Sequence, residues 1–289
     1  MSRPQKLCAY CSKPGTTKEH YWGKWSRKYL PHVNRYTQHT VSRISGMASP
    51  DHPIVMVGQG SQNRPGDLRA QTLKIVCTAC NTRWMKAVNE AAEPHLVRLA
   101  EGEWWALTPT EKTQVAAWAT MFSMTYEFAD RFTLASTQAE RDYLRENREP
   151  PPNWTIWIGS YGEGDWTHQC NHHAARAELN PSATVISEEP DVRISPNMNC
   201  QITVFTFGHL LIVTFSHRIR SPVRADAFGA VFGLQTIWPT GFGAVGKPIR
   251  HHTDSEIEAI AFGLSRNFMP GIGPPPHPDT IPRGWEPVE

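Results

Sequence analysis

The sequence predicts an α+β fold, and three observations lead to this prediction. Two cysteine pairs enclose the first part of the chain, a long helical pattern follows from about residue 108, and short aromatic and β-branched runs follow from about residue 150. We therefore expect a cysteine-framed module over 1–100 (the cysteine module), a helical connector over 101–150, a small α+β domain with an antiparallel sheet over 151–268, and a proline-rich tail over 269–289.

The two cysteine pairs, Cys8-Ala-Tyr-Cys11 and Cys77-Thr-Ala-Cys80, have the spacing of a structural zinc site. Each pair places two thiolates on one tight turn, and two such turns complete a tetrahedral ion. A site made of four cysteines leaves no open position on the metal, so the predicted zinc is structural. Any chemistry must then come from residues that the metal holds in place.

Between the cysteine pairs, the chain predicts a short strand or extended segment over 16–20, a short helix over 22–30 and a strand over 73–76. Residues 37–44 and 53–58 also have strand character, whereas residues 58–66 have the composition of a loop. A helix is expected to start near Cys80. Because this helix would start at the second cysteine pair, the predicted zinc ion would hold its first turn in place.

The connector is predicted to contain two helices. Thr108-Pro-Thr-Glu111 has the pattern of a capping box with proline at the first helical position. An apolar stripe follows over about four turns and includes Val115, Trp118 and Phe122. A second helix begins at Thr137 and ends before the prolines at 150–152, because proline cannot continue a helix.

The C-terminal part predicts a strand at 154–159, a hairpin over 201–215 that turns at Gly208-His209, a strand at 235–239 and a helix over 254–265. Four tryptophans in or beside these strands could form an aromatic pocket, although burial in a core is the favoured interpretation: Trp154, Trp157, Trp166 and Trp238. Cys170-Asn-His-His173 has metal-ligand residue types, but no second cluster completes the coordination, so a solvated loop is expected.

Composition excludes several classes of protein. Hydrophobic residues make up 39% and charged residues 19% of the 289 residues, which is a globular balance. No apolar run approaches the length of a membrane span, and no apolar leader precedes the first cysteine, so we expect a cytoplasmic protein without a membrane partner. Paired cysteines of this kind favour a reducing compartment.

Charge is distributed unevenly along the chain. Residues 1–98 hold 15 basic and 5 acidic residues, a net charge of +10, whereas residues 99–289 hold 14 and 22, a net charge of −8. A basic module joined to an acidic part is typical of proteins that bind a polyanion, and mutual neutralisation of the two parts is the alternative. The oligomeric state is not predicted by the sequence.

The sequence Glu19-His20 lies between the cysteine pairs, and Asn81 directly follows the last cysteine. This order of motifs resembles that of the HNH, or His-Me finger, nucleases, and more narrowly their zinc-stabilised branch. The resemblance covers residues 7–93 and implies a ββα-metal module braced by zinc. It also implies a metal-dependent endonuclease that hydrolyses DNA, with His20 as general base and one Mg²⁺ or Mn²⁺ ion held by Glu19 and Asn81.

Each implied role suits the chemistry of the residue. A neutral imidazole such as that of His20 can take a proton from water near neutral pH. The oxygens of Glu19 and Asn81 are ligands that hard cations prefer, and such a cation offsets the charge that develops on the leaving oxygen of a phosphodiester. The family more often has Asp at the position of Glu19, and the third metal ligand is left open among three residues of one helix: Asn89, Glu90 and Glu93.

Five basic residues are predicted to contact nucleic acid: Lys18, Lys24, Arg27, Lys28 and Arg83. Nearby aromatic residues at 22, 25 and 29 have the spacing either of a stacking surface for bases or of a core face. Two other functions remain open from the sequence. One is a nucleic-acid-binding zinc protein that does not cut, and the other is a sensor or partner-binding C-terminal domain with a structural zinc appendage.

Overall fold

The structure is a computed structural model that describes residues 6–30, 36–45, 55–65, 68–129, 133–162, 164, 166, 170–175, 198–218, 225–241, 246 and 250–268. The proline-rich tail predicted over 269–289 lies outside these residues. The structure combines helices with largely antiparallel sheets, which confirms the predicted α+β class.

The cysteine module is built on two short strands and one helix. Strand β1 (Thr17–His20) pairs antiparallel with β4 (Thr72–Val76), and a 3-10 helix (Lys24–Tyr29) follows β1. The chain then enters a continuous helix composed of α1 (Thr78–Cys80), a π-helical segment (Asn81–Met85) and α2 (Lys86–Ala100). The strands predicted over 16–20 and 73–76 and the helix predicted to start near Cys80 are therefore confirmed.

A second pair of strands is inserted between β1 and β4. Strand β2 (Tyr36–Ser45) pairs antiparallel with β3 (Val55–Pro65), and a 3-10 turn (Leu68–Ala70) leads back to β4. The prediction of a loop over 58–66 is wrong, because residues 58–65 continue the strand. Their polar and glycine-rich composition resembles that of a loop, but the cross-strand partner supplies the backbone hydrogen bonds that make them a strand.

The helix that leaves the second cysteine pair contains a π-helical segment, Asn81–Met85, and continues as α2 (Lys86–Ala100). Pro94 lies inside α2. A π-helical segment is rare, and such segments occur frequently at functional sites.

Two helices connect the module to the sheet, and both begin at the predicted capping boxes. Helix α3 (Pro109–Tyr126) has Thr108 as N-cap, and the Thr108 N–H donates to Glu111 Oε2 at 2.7 Å. Helix α4 (Gln138–Asn147) is capped in the same way by Thr137. None of the helices in the described ranges is long and apolar enough to cross a membrane.

The C-terminal part forms a six-stranded sheet in the order β10-β5-β8-β7-β6, and β9 also pairs with β5. All pairings are antiparallel except that of β10 with β5. The strands are β5 (Trp154–Tyr161), β6 (Cys170–Ala175), β7 (Cys200–Phe207), β8 (Leu210–His217), β9 (Gln235–Trp238) and β10 (His251–His252). Helices α5 (Ala225–Phe232) and α6 (Asp254–Phe268) follow β8 and β10, and α5 was not predicted.

The predicted hairpin of β7 and β8 is confirmed, with its turn at Gly208-His209. Gly208 has φ of 55°, a conformation that favours glycine. A Cβ at this position would lie 2.3 Å from the Ala100 carbonyl oxygen, so only glycine allows this approach. The His209 N–H donates to that same carbonyl at 2.8 Å, which ties the turn to the end of α2.

One continuous buried core joins the cysteine module to the sheet. Trp22 is buried, with its ring 4.6 Å from that of Phe122 on α3 and 5.9 Å from that of Phe205 on β7. Trp22 therefore serves the core rather than stacking on bases. Trp154, Trp157 and Trp166 are buried as favoured by the sequence, and Trp238 is partly buried against the core.

Candidate metal centre and candidate active site

The four cysteines of the two pairs converge as predicted. The sulfur atoms of Cys8, Cys11, Cys77 and Cys80 all lie within 4.8 Å of one another, and the sulfurs of Cys11 and Cys77 are 3.6 Å apart. Zinc–sulfur bonds of about 2.3 Å in a tetrahedron place the sulfurs about 3.8 Å apart. The cluster therefore fits a tetrahedral ion and could hold a metal such as zinc. No other cluster of three or more His, Cys, Asp or Glu ligands was found among the described residues.

The first cysteine turn is shaped by backbone hydrogen bonds. The Cys8 N–H donates to Lys13 O at 2.8 Å, and the Ser12 N–H donates to Cys8 O at 2.9 Å. Ser12 has φ of 55°, which lets the chain reverse within the turn. The Ala9 N–H donates to Ile75 O at 2.8 Å, so the turn is fixed to the strand that leads to the second cysteine pair.

The second cysteine pair lies at the start of a helix, where the backbone stabilises a thiolate. Burial on its own would raise the pKa of the Cys77 thiol, but the backbone N–H of Cys80 and the Cys11 thiol lower that pKa to about 7. The Cys80 N–H lies 3.5 Å from the Cys77 sulfur. A thiol that ionises near neutral pH is prepared to bind a metal ion, since thiolate is the ligand form.

Tyr10, between the first two cysteines, fixes the first cysteine turn against the helices of the connector. Its ring is buried and meets the Trp84 ring edge-on at 4.8 Å. Its hydroxyl lies 3.1 Å from Met121 O and 2.9 Å from Thr125 Oγ1 on α3. The Tyr10 carbonyl also accepts a hydrogen bond from Arg145 on α4. The position of the cysteine turn therefore depends on helices that start about a hundred residues later.

Glu19 and His20 end strand β1 and line a small pocket between that strand, the helix that leaves the second cysteine pair, and α3. Their register partners on β4 are Leu73 and Thr72. The pocket holds about 310 Å³ of space including its open mouth. Six of the residues that line it are Glu19, His20, Tyr21, Met85, Asn89 and Thr125. The predicted metal ligand Glu19 and the predicted base His20 therefore line the same pocket.

The Glu19 carboxyl is largely buried, and this burial raises its pKa to about 7. No hydrogen bond or ion pair to its carboxylate occurs within the described part of the chain. An ionised carboxylate in such a place has little water around it and no ion-pair partner among the described residues, which disfavours ionisation. A divalent cation would supply the missing charge, so this environment suits a metal ligand.

The His20 imidazole is perturbed in the direction that suits a base. Burial lowers its pKa, and the positive charges of Arg27 and Lys24 lower it further. Arg27 Nη2 lies 3.4 Å from His20 Nδ1. A pKa below the usual value keeps the imidazole neutral at neutral pH, which a general base requires.

Asn81 lies at the first position of the π-helical segment, half-buried, and its N–H donates to Cys77 O at 3.0 Å. It is not among the residues that line the pocket of Glu19 and His20. Met85 and Asn89, one and two turns further along the helix, occupy that wall instead. The role of Asn81 as a metal ligand therefore stays a prediction.

Two of the three residues considered as a third ligand, Asn89 and Glu90, have different surroundings. Asn89 lines the pocket, but its amide already donates to Met85 O at 3.0 Å and accepts from Trp118 Nε1 at 2.9 Å. Glu90 is exposed and lies 3.5 Å from Lys86 Nζ. The hydrogen bond from Trp118 of α3 thus holds Asn89 in place in the pocket wall. The sequence did not predict this contact, because 29 residues separate Asn89 from Trp118.

The five predicted nucleic-acid contacts divide into three groups. Lys18, Lys24 and Arg83 are exposed. Arg27 is half-buried beside His20. Lys28 is exposed but already paired, with its Nζ 2.8 Å from Glu101 Oε1, and this contact raises its pKa. Lys28 is therefore the weakest of the five candidates for phosphate contact.

The Cys170-to-His173 segment is an edge strand rather than the expected solvated loop. Its backbone pairs with β7, and Cys170 is buried. His172 Nδ1 lies 2.8 Å from Thr203 Oγ1, and its Nε2 lies 3.1 Å from Thr133 O. The prediction of a loop is wrong because polar side chains on this strand find partners on neighbouring elements. His172 therefore forms part of this structural network.

No protein-family model, no curated protein and no solved structure matches this chain.

Proposed function

We propose that this protein is a metal-dependent endonuclease that hydrolyses DNA phosphodiester bonds at the pocket of Glu19 and His20. The observation that carries this proposal is the pairing of the two residues at one pocket with opposite pKa shifts. Burial raises the pKa of Glu19 to about 7 and lowers that of His20. Titratable groups with perturbed pKa values cluster at functional sites, so two of them at one pocket favour a catalytic site.

The two metals have separate roles in this proposal. The four cysteines hold a structural zinc ion that fixes the helix start against the strand of Glu19 and His20. Glu19 and Asn81 are the residues that would hold Mg²⁺ or Mn²⁺, and such an ion supplies positive charge next to the phosphate and the leaving oxygen. Asn81 reaches the site only if the helix start and the end of β1 approach in the bound state.

The protein's own residues supply binding and proton transfer. His20 as the neutral imidazole accepts the proton of the attacking water. Lys18, Lys24, Arg27 and Arg83 contact the phosphates of the DNA backbone. In this proposal the DNA lies across the mouth of the pocket, with a backbone phosphate next to Glu19 and His20.

Plasmid cleavage by the purified, zinc-loaded protein in Mg²⁺ or Mn²⁺ tests the proposal. Loss of a general base costs about 10²- to 10⁴-fold in rate, so His20→Ala should abolish nicking within the assay. His251→Ala is the matched control, since His251 is exposed on β10 in the sheet and far along the chain from the pocket. Equal nicking by wild type and His20→Ala, or no nicking by wild type, would refute the proposed mechanism.

A second candidate function is a nucleic-acid-binding zinc protein that does not cut. The position of Asn81 outside the pocket lining favours it, since the catalytic cation would then have Glu19 as its sole protein ligand among the predicted residues. Equal DNA binding by wild type and His20→Ala, with cleavage by neither, would support this alternative.

A further inference from the structure

The cysteine module carries an insertion that the candidate active site leaves unexplained. Strands β2 and β3 form an antiparallel two-stranded ribbon between β1 and β4, and we call these two strands the ribbon. Among the described elements, the two strands contact each other extensively and make no comparable contact with any other helix or strand. A two-stranded sheet is marginally stable in water on its own, so a partner that packs on the ribbon would stabilise it.

The strand register sorts the residues of the ribbon onto two faces, because alternate positions on a strand share a face. Positions 38, 40 and 42 pair with positions 63, 61 and 59, and these six residues are all Gln, Thr, Ser or Asn. The opposite face has arginine at positions 43 and 64 and glycine at 58 and 60. Neither strand contains an acidic residue.

This composition matches the chemistry of DNA base edges. Asn and Gln pair with adenine through two hydrogen bonds, and Ser and Thr bond to several bases. The major groove of B-DNA, about 12 Å wide, admits a two-stranded β-ribbon. Ten residues of β2 extend over about 30 Å, which is close to one turn of the duplex at about 34 Å.

The base of the ribbon lies close to the candidate active site. Gln71 O accepts a hydrogen bond from the N–H of Tyr21, which lines the pocket. Six residue steps separate Pro65, the last residue of β3, from Gln71, and they span at most about 21 Å. One duplex can therefore contact the ribbon and the pocket together.

We infer that the ribbon enters the major groove of duplex DNA and that its face of positions 38, 40, 42, 59, 61 and 63 reads base edges. The inference rests on the proposed function for its substrate class. It adds a sequence preference to the nuclease site, because the ribbon would place one stretch of base pairs at a fixed distance from the pocket. Binding through the ribbon does not require cleavage, so the two proposals fail separately.

Selection from a pool of randomised duplexes tests the inference, with full-length zinc-loaded protein and no Mg²⁺ or Mn²⁺. Wild type should enrich a defined motif. The double variant Gln38→Ala/Asn63→Ala removes one cross-strand pair from the proposed reading face. Its preference for that motif over other sequences should be at least about tenfold lower than that of wild type. The matched control His39→Ala/Gln62→Ala removes the next pair, on the opposite face, and should keep the preference.

Arginine replacement separates reading from charge. Arg43→Ala/Arg64→Ala should weaken binding to all sequences alike and reduce the slope of log affinity against log salt by about two. Circular dichroism and zinc content of each variant confirm that it folds.

Three results would overturn the inference: no enrichment by wild type, equal preference in Gln38→Ala/Asn63→Ala and wild type, or ribbon variants that change only self-association in sedimentation. Enrichment without plasmid cleavage would leave the ribbon inference standing and refute the nuclease.

Discussion

Arg27 Nη2 lies 3.4 Å from His20 Nδ1, and the guanidinium can only donate a hydrogen bond. His20 Nδ1 is therefore the acceptor in this arrangement, and the neutral imidazole carries its proton on Nε2. Arg27 has no carboxylate partner within the described residues, and its Nε is buried without a partner. A phosphate group is the ligand that such an arginine prefers, and movement of Arg27 towards phosphate would free His20 Nδ1 to accept a proton.

The first prediction concerns the charge of Arg27. Arg27→Ala should raise the pKa of His20, because a neighbouring positive charge disfavours the imidazolium. Burial is the larger cause and is kept, so the pKa should stay below its usual value. Titration of the His20 ring signals by NMR measures the change. Arg83→Ala, an exposed arginine on the π-helical segment, is the control that should leave the titration unchanged.

The second prediction concerns metal binding at Glu19. Because burial raises the pKa of this carboxyl to about 7, it is mostly protonated at pH 6 and mostly ionised at pH 8. Mn²⁺ binding must displace the proton at the lower pH, so affinity should be about tenfold weaker at pH 6 than at pH 8. Isothermal titration calorimetry on the zinc-loaded protein measures this. Glu90→Gln should leave both affinities unchanged, whereas Glu19→Gln should remove the binding.

The third prediction is that Glu19→Gln stabilises the protein at alkaline pH. The pKa of this carboxyl is higher in the folded chain than the ordinary 4.5, so the folded state binds the proton more tightly than the unfolded state. The ionised carboxylate of Glu19 therefore destabilises the folded state. This cost is absent below about pH 4.5, grows as pH rises, and is complete above about pH 7. Glu19→Gln should therefore raise the free energy of unfolding at pH 8 by up to about 3 kcal/mol, reduced by the solvent that reaches the carboxyl.

Urea denaturation at pH 8 and at pH 5.5 checks this stabilisation. The gain should shrink by more than half at the lower pH, because Glu19 is then largely protonated in the folded state. A gain of the same size at both pH values would show that it arises from packing rather than from the buried charge.

The fourth prediction concerns the hydroxyl of Tyr10. Tyr10→Phe removes its hydrogen bonds to Met121 O and Thr125 Oγ1 and leaves buried polar atoms without that partner. The cost should be about 1–3 kcal/mol in the free energy of unfolding, with faster release of zinc to a chelator. Tyr143→Phe is the control, because its hydroxyl bonds to Glu149 near the surface and should cost under about 0.5 kcal/mol. An equal loss of unfolding free energy in Tyr10→Phe and Tyr143→Phe would contradict a role for Tyr10 in fixing the first cysteine turn.

The fifth prediction separates the cysteines of the cluster from the others. Wild type should carry one zinc ion per chain, and Cys77→Ser should lose it and unfold at a lower temperature, because structural zinc contributes directly to folding. Cys200→Ser, at a buried cysteine on β7 outside the cluster, should keep the zinc. Elemental analysis after dialysis measures the metal. Zinc retained in Cys77→Ser would refute the predicted ligand set.

Features that depend on neighbouring residues in the chain could be predicted from the sequence. The capping boxes at Thr108 and Thr137 are satisfied within three residues, and the turn at Gly208 depends on the conformation of one glycine. The strand character of 58–65 and of β6 could not be predicted, because the hydrogen bonds that define those strands come from a partner elsewhere in the chain. Polar composition alone favoured loops at both places.

The sequence by itself determined the set of four cysteines that could hold a metal and the adjacency of Glu19 and His20, since both follow from residue type and spacing. The tertiary structure decided what surrounds them. It placed Thr125 of α3 in the lining of the same pocket and brought Arg27 close to His20. Met85 and Asn89 line the wall where Asn81 was expected. Burial and electrostatic shifts of pKa arise from residues that lie far apart in the chain, so the chemical state of the candidate site becomes visible only after folding.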